Sequence, residues 1–188
     1  MITKLAFLVM LAAGTAFADD NTIDLHGTGG FEFVGGDGAF AAGVRGRISL
    51  ARAFGHGDVR PQVAFGAMVA SNELWVDDPR ALHGSLGLGL FTYGPELQLG
   101  LRFADGGHTD SRVFLSGALL EVDTDDRLDM DYVPGVSSAS PFGYRLSLGA
   151  NWCDAFDDYK VLLPQQVELS WEHDAGSDRF GLTFSYGI

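Results

Sequence analysis

From Ile23 onward, apolar residues recur at every second position, in runs separated by breaks rich in glycine and aspartate. Side chains of a strand alternate between two faces with period two, so this pattern dictates strands. No segment of useful length carries the helical period. The last run shows it most plainly: Phe180, Leu182, Phe184, Tyr186 and Ile188 share one face, and Gly181, Thr183, Ser185 and Gly187 the other. One face is aromatic and aliphatic; the opposite face is small and polar.

The same alternation runs through eight earlier segments, around Ile23–Phe33, Phe40–Leu50, Val59–Val69, Leu82–Tyr93, Leu97–Phe103, Val113–Leu119, Phe142–Trp152 and Val167–Trp171. Gly94-Pro95 reads as a two-residue hairpin turn. Folding there pairs Leu99 with Leu90, Leu101 with Leu88 and Glu96 with Tyr93, and a one-residue slip would mix the faces. By that register Leu90 shares the leucine face, while Phe91 and Tyr93 lie opposite. Ser71 to Arg80 is polar, contains Asp77-Asp78-Pro79, and reads as a loop.

Residues 1–18 read as a signal peptide: Lys4, an apolar Leu5–Ala13, and Ala16-Phe17-Ala18 before Asp19. The remaining 19–188 suffice for one domain. No apolar run reaches the ~20 residues of a membrane helix. Cys153 is the single cysteine, so no disulfide framework exists. A net charge of −13 argues against a nucleic-acid partner. Beyond the signal segment Lys160 is the sole lysine, whereas a soluble exported domain covers its wet face with lysine and glutamate.

The closing strand resembles the C-terminal assembly signal of bacterial outer-membrane barrels, with Arg179, Gly181, Phe184 and Tyr186 at its marked places. The face Phe142, Tyr144, Leu146, Leu148, Ala150, Trp152, aromatic at both ends, resembles an aromatic girdle. The chain is thus similar to the small outer-membrane barrels, the outer membrane protein A-like and porin-like superfamily, without pointing to a subfamily. The resemblance implies an all-β fold: a closed, antiparallel, up-and-down transmembrane β-barrel of about 8–10 strands. It implies contact with outer-membrane lipid and with the barrel-assembly machinery, and a monomer. Such barrels have even strand numbers, and the sequence presents nine. A tenth strand over Leu128, Met130 and Tyr132 restores parity, and ten is slightly favoured over eight.

Facing inward, Arg45, Arg47, Arg60, Arg102, Arg112 and Arg145 would share the lumen with Glu32, Glu96, Glu168 and Glu172. A closed, salt-bridged plug is expected, because an unpaired buried charge is costly and narrow barrels are filled by side chains. A narrow or gated pore is the alternative. His83-Gly84-Ser85 with Glu96 resembles the catalytic arrangement of outer-membrane lipid A deacylases. In the hairpin register, however, Glu96 lies ~30 Å from Ser85, beyond any hydrogen bond. Asp123, Asp125, Asp126, Asp129 and Asp131 could gather around calcium but read better as a solvated loop. No cofactor or catalytic residue is expected. The reading is a non-enzymatic barrel with a structural, surface-interaction or narrow-pore role. Its rivals are a soluble periplasmic β-barrel with leucines turned inward around an apolar ligand, and a lipid A hydrolase.

Overall fold

The computed structural model describes residues 23–36, 39–77, 85–105, 109–124, 142–152, 164–174 and 177–187. Every regular element among them is a strand. The order is β1 (Ile23–Gly36), β2 (Ala39–Ala53), β3 (Val59–Asp77), β4 (Ser85–Asp105), β5 (Thr109–Thr124), β6 (Phe142–Trp152), β7 (Gln166–Asp174) and β8 (Ser177–Gly187). Each strand pairs antiparallel with its sequence neighbours, and β8 returns to β1 to close an eight-stranded barrel. At the closure Phe31 faces Phe184 and Phe33 faces Leu182. The final strand is thus the seam as well as the last element.

Eight replaces the favoured ten, and the parity problem disappears. Gly94-Pro95 is not a turn: it lies inside the continuous β4. Pro95 sits opposite Ala67 of β3, whereas the ladder to β5 passes from Tyr93↔Glu121 to Glu96↔Ala118 and skips Gly94 and Pro95. Proline has no N–H to give, so the ladder is left open on that side. A Cβ on Gly94 would lie 1.8 Å from the Leu119 carbonyl oxygen, so the strands approach there as only glycine permits. The proposed tenth strand, Leu128 to Tyr132, lies outside the described residues. The loop read over Ser71–Arg80 is also corrected: β3 continues to Asp77.

Removing the hairpin reverses the faces from Leu90 to Tyr93. Leu90 is buried inside, and Phe91 and Tyr93 are exposed on the outer wall. On the other strands the faces follow the alternation. Leu50, Leu99, Leu115, Leu148 and Leu169 stand on the outside, and Ile48 is 65% exposed. Aromatic side chains gather on the outer wall towards the end that carries Gly36 and Ala39. Phe40 stacks on Trp75 at 5.8 Å and Tyr144 meets Trp171 edge-on at 5.3 Å.

Apolar side chains and charges share the interior. Val34, Ala41 and Leu74 are register partners across β1, β2 and β3, and Met68, Ala118 and Leu120 form a buried cluster beside the charges, Met68 opposite Arg47 and Ala118 opposite Glu96 and Arg145. At the Ile23 end, β2 and β3 are joined by a turn in which Gly55 and Gly57 adopt positive φ and the Phe54 N–H donates to the Pro61 carbonyl.

Candidate functional site: the charged interior

Period-two alternation on β1, β2, β4, β6 and β7 aims Glu32, Arg45, Arg47, Glu96, Arg145, Glu168 and Glu172 at the barrel axis, and all are buried. Arg47 clamps Glu96 with both ends of its fork, Nε to Oε2 at 2.5 Å and Nη2 to Oε1 at 2.6 Å. Its Nη2 also donates to Glu168 Oε2 at 3.0 Å. Arg45 Nη2 reaches Glu168 Oε1 at 2.7 Å. Arg145 Nη1 donates to Glu32 at 3.0 Å and bonds Glu172 as well. Neutral groups complete the cage: Ser147 Oγ gives its proton to Glu168 at 2.6 Å, and Gln166 Nε2 donates to the same carboxylate at 3.2 Å. Bidentate guanidinium–carboxylate pairs of this kind are among the strongest and most directional hydrogen bonds a protein makes.

Two participants come from the closing strand. Thr183 Oγ1 accepts from Arg45 at 3.2 Å and from Arg145 at 3.1 Å, which ties the seam into the network. Arg179 is buried inside the barrel, directly across from Glu172 in the β7–β8 register. With it four buried guanidiniums, Arg45, Arg47, Arg145 and Arg179, stand against four buried carboxylates, Glu32, Glu96, Glu168 and Glu172. That balance is what a low-dielectric interior requires.

The remaining three predicted lumen charges lie nearer the Ile23 end. Arg112 is buried, donates to Gln166 Oε1 at 3.4 Å, and lies over the Phe114 ring at 5.4 Å. Arg47 covers the same ring at 5.5 Å, so two guanidiniums lie against Phe114. Arg102 pairs with Asp24 at 2.8 Å, partly exposed, and Arg60 Nε donates to the Gly57 carbonyl at 2.9 Å. These two line the mouth and stand apart from the central cage.

The chain matches no protein-family model, no curated protein and no solved structure.

Of the deacylase-like set, Glu96 is committed to Arg47 and accepts from Gln98 Nε2 at 3.4 Å. Ser85 stands eleven residues from Glu96 on the same strand, ~36 Å along it. The wide separation therefore survives the loss of the hairpin that first suggested it. His83 lies outside the described residues. So do Asp125, Asp126, Asp129 and Asp131, while Asp123 is exposed near the end of β5. Among the described residues no three His, Cys, Asp or Glu side chains are grouped to hold a metal ion. In the closing-strand motif Arg179 and Gly181 face inward, and Phe184 and Tyr186 alternate to the outer wall.

Arg179 and Phe114 were within reach of sequence reasoning. Arg179 shares parity with Thr183 and Ser185, so the alternation itself assigns it to the lumen. Phe114 shares parity with Arg112 and Ser116, and an aromatic among inward arginines is a cation–π signal. The role of Thr183 depends on where two arginines from distant strands converge, and no one-dimensional pattern carries that.

Proposed function

We propose that this chain is a small bacterial outer-membrane β-barrel, exported by its N-terminal signal segment, monomeric, and structural or surface-interacting rather than enzymatic. One observation carries the reading: the distribution of polarity is inverted. Leu115 and Leu119 are 62% and 61% exposed, while Arg145 and Glu168 are each 1% exposed. Full burial of a large apolar side chain stabilises by ~1.5–3 kcal/mol, so an outer wall of leucine, phenylalanine and valine forgoes a large term in water. Against lipid tails it forgoes nothing, and the closed ladder leaves no strand edge for lipid to desolvate.

The aromatic side chains near one rim fit the interfacial belt of such a barrel. Leucines on the outside also speak against a soluble barrel with an apolar ligand inside. The filled, balanced ionic layer favours a closed barrel over a pore, because side chains lining a water-wide channel would be wetted. Phe184 and Tyr186 at the seam are suited to the barrel-assembly machinery.

Fractionation and gel mobility test the reading. A band in the outer-membrane fraction whose mobility shifts on boiling is the expected result, since lipid barrels remain folded in cold detergent. A band in the soluble fraction with no shift would overturn it.

A further inference from the structure

Near the Gly36 end the outer wall is dented. A groove of about 460 Å³ crosses three strands, lined by Ala42 to Val44 of β2, Ser71 to Glu73 of β3 and Gly89 of β4. The register explains it. Ala42, Glu73 and Gly89 are partners in one row, so Glu73 stands between a methyl group and a bare backbone. The rows above and below are bulky. Towards the rim, Phe40 is the partner of Trp75 and stacks on it; away from the rim, the exposed Val44 and Phe91 flank Ser71.

Glu73 is the one charge in this groove. It is exposed and of outward parity, and it lies on the mid-wall side of the Phe40–Trp75 stack rather than beyond it. Its neighbours on the same face, Ala42, Gly89, Ser71 and Trp75, carry no charge. Among the described residues Glu73 makes no hydrogen bond and no ion pair. Two other outward polar groups at this end are answered within the protein: His173 by Asp178 at 2.8 Å, and Glu121 by the Tyr93 hydroxyl. A carboxylate held among apolar side chains at the edge of lipid is costly until a cation meets it.

We infer that this groove seats the headgroup of a phospholipid that carries a primary ammonium, as phosphatidylethanolamine does, with the ammonium on Glu73 and the acyl chains descending the outer wall past Val44 and Val69. An ammonium is a compact point charge with three N–H donors, so one carboxylate suffices to hold it. A quaternary ammonium has no N–H to give, and an anionic headgroup would set like charge against Glu73. A second copy of this chain would cover Glu73 with an apolar wall or with another Glu73, and either leaves the carboxylate unanswered. The inference rests on the reading of the outer wall as lipid-facing and adds which lipid the wall selects.

Trp75, two residues from Glu73 on the same face, serves as the reporter. The full chain with Trp152→Phe and Trp171→Phe would be reconstituted into phosphatidylcholine vesicles. Part of the lipid would be replaced by phosphatidylethanolamine, phosphatidylcholine or phosphatidylglycerol brominated close to the headgroup, and quenching of Trp75 followed. Brominated phosphatidylethanolamine should occupy the site about fivefold more strongly than brominated phosphatidylcholine, which is what one exposed ion pair supplies. Glu73→Gln should erase that preference and Glu73→Asp should keep most of it. Ala42→Phe, which fills the groove and leaves the carboxylate, should erase it too. Glu121→Gln, outside the groove, should keep it. The shift in gel mobility on boiling confirms that each variant is folded. Equal quenching by the three lipids would overturn the inference and leave the lipid-facing wall intact. A preference that survives in Glu73→Gln, or is lost equally in Glu121→Gln, would overturn it as well. Quenching that falls as protein is raised relative to lipid would give the groove to a second copy. No quenching of the folded protein by any of the three lipids would sink the lipid-facing wall and this inference together.

Discussion

Glu168 is the residue on which the interior converges. It accepts from Arg45, Arg47, Ser147 and Gln166, which brings β2, β6 and β7 to one carboxylate. Glu168→Ala strips two buried guanidiniums of their shared partner, and breaking a buried pair from one side costs ~3–5 kcal/mol. Urea unfolding in detergent should show a loss of that size; a loss below ~1 kcal/mol would mean that water or another acid replaces it. Gly94→Val tests a different physics. Its Cβ would enter the Leu119 carbonyl at 1.8 Å, so the variant should refold in lower yield and lose the heat-dependent gel shift, while Gly117→Ala, whose Cβ meets nothing nearer than 3.6 Å, should behave as wild type. At this scale the sequence was readable wherever parity alone decided orientation. Seven central charges of the ten predicted sit together, and Arg179 belongs with them by the same rule. Arg60 and Arg102 share the parity and not the place, because alternation reports which side of the wall a residue takes and not its height along the axis.

Among the elements, β4 is where local reading failed, for an identifiable reason. Leu86, Leu88 and Leu90 precede Gly94-Pro95 and Leu97, Leu99 and Leu101 follow it, with opposite parity on the two sides. Such a sequence is self-complementary as a hairpin, so pairing on paper cannot distinguish a turn from a straight strand. What decides is contact with the neighbours: β4 pairs with β3 from Ser85↔Asp77 to Phe103↔Val59 in one unbroken register. Leu90 then turns into the buried interior, and Phe91 and Tyr93 meet 5.7 Å apart on the outer wall. A similar reversal hid the end of β3. Past Val69 the outward positions are Ser71 and Glu73 and the inward ones Asn72 and Leu74, so the apolar-out rule lapses and the segment resembles a loop. An insertion discriminates strand from turn. A short glycine-serine insert between Gly94 and Pro95 should abolish folding, and the same insert after Gly55, in the β2–β3 turn, should be tolerated. Tolerance at Gly94 would restore the hairpin.

For the whole molecule, inverted polarity and a plugged axis are two sides of one arrangement. On the proposed reading, lipid on the outside would force the polar residues inward, and a barrel of eight strands is narrow enough for their side chains to fill. The wild-type protein in a planar bilayer should therefore pass no steady current. A Glu96→Ala, Arg47→Ala double variant, which removes the bidentate pair and its bulk, should show discrete openings; steady current through the wild type would show that the plug leaks. The exposed leucines carry the central claim, and nitroxide labels test it most directly. With Cys153→Ser as background, single cysteines at Leu115 and Leu148 would be labelled in protein reconstituted into vesicles. Collisions with molecular oxygen should far exceed collisions with a water-soluble nickel complex at both sites, as lipid contact requires. The opposite ratio would place those leucines in water and contradict the account.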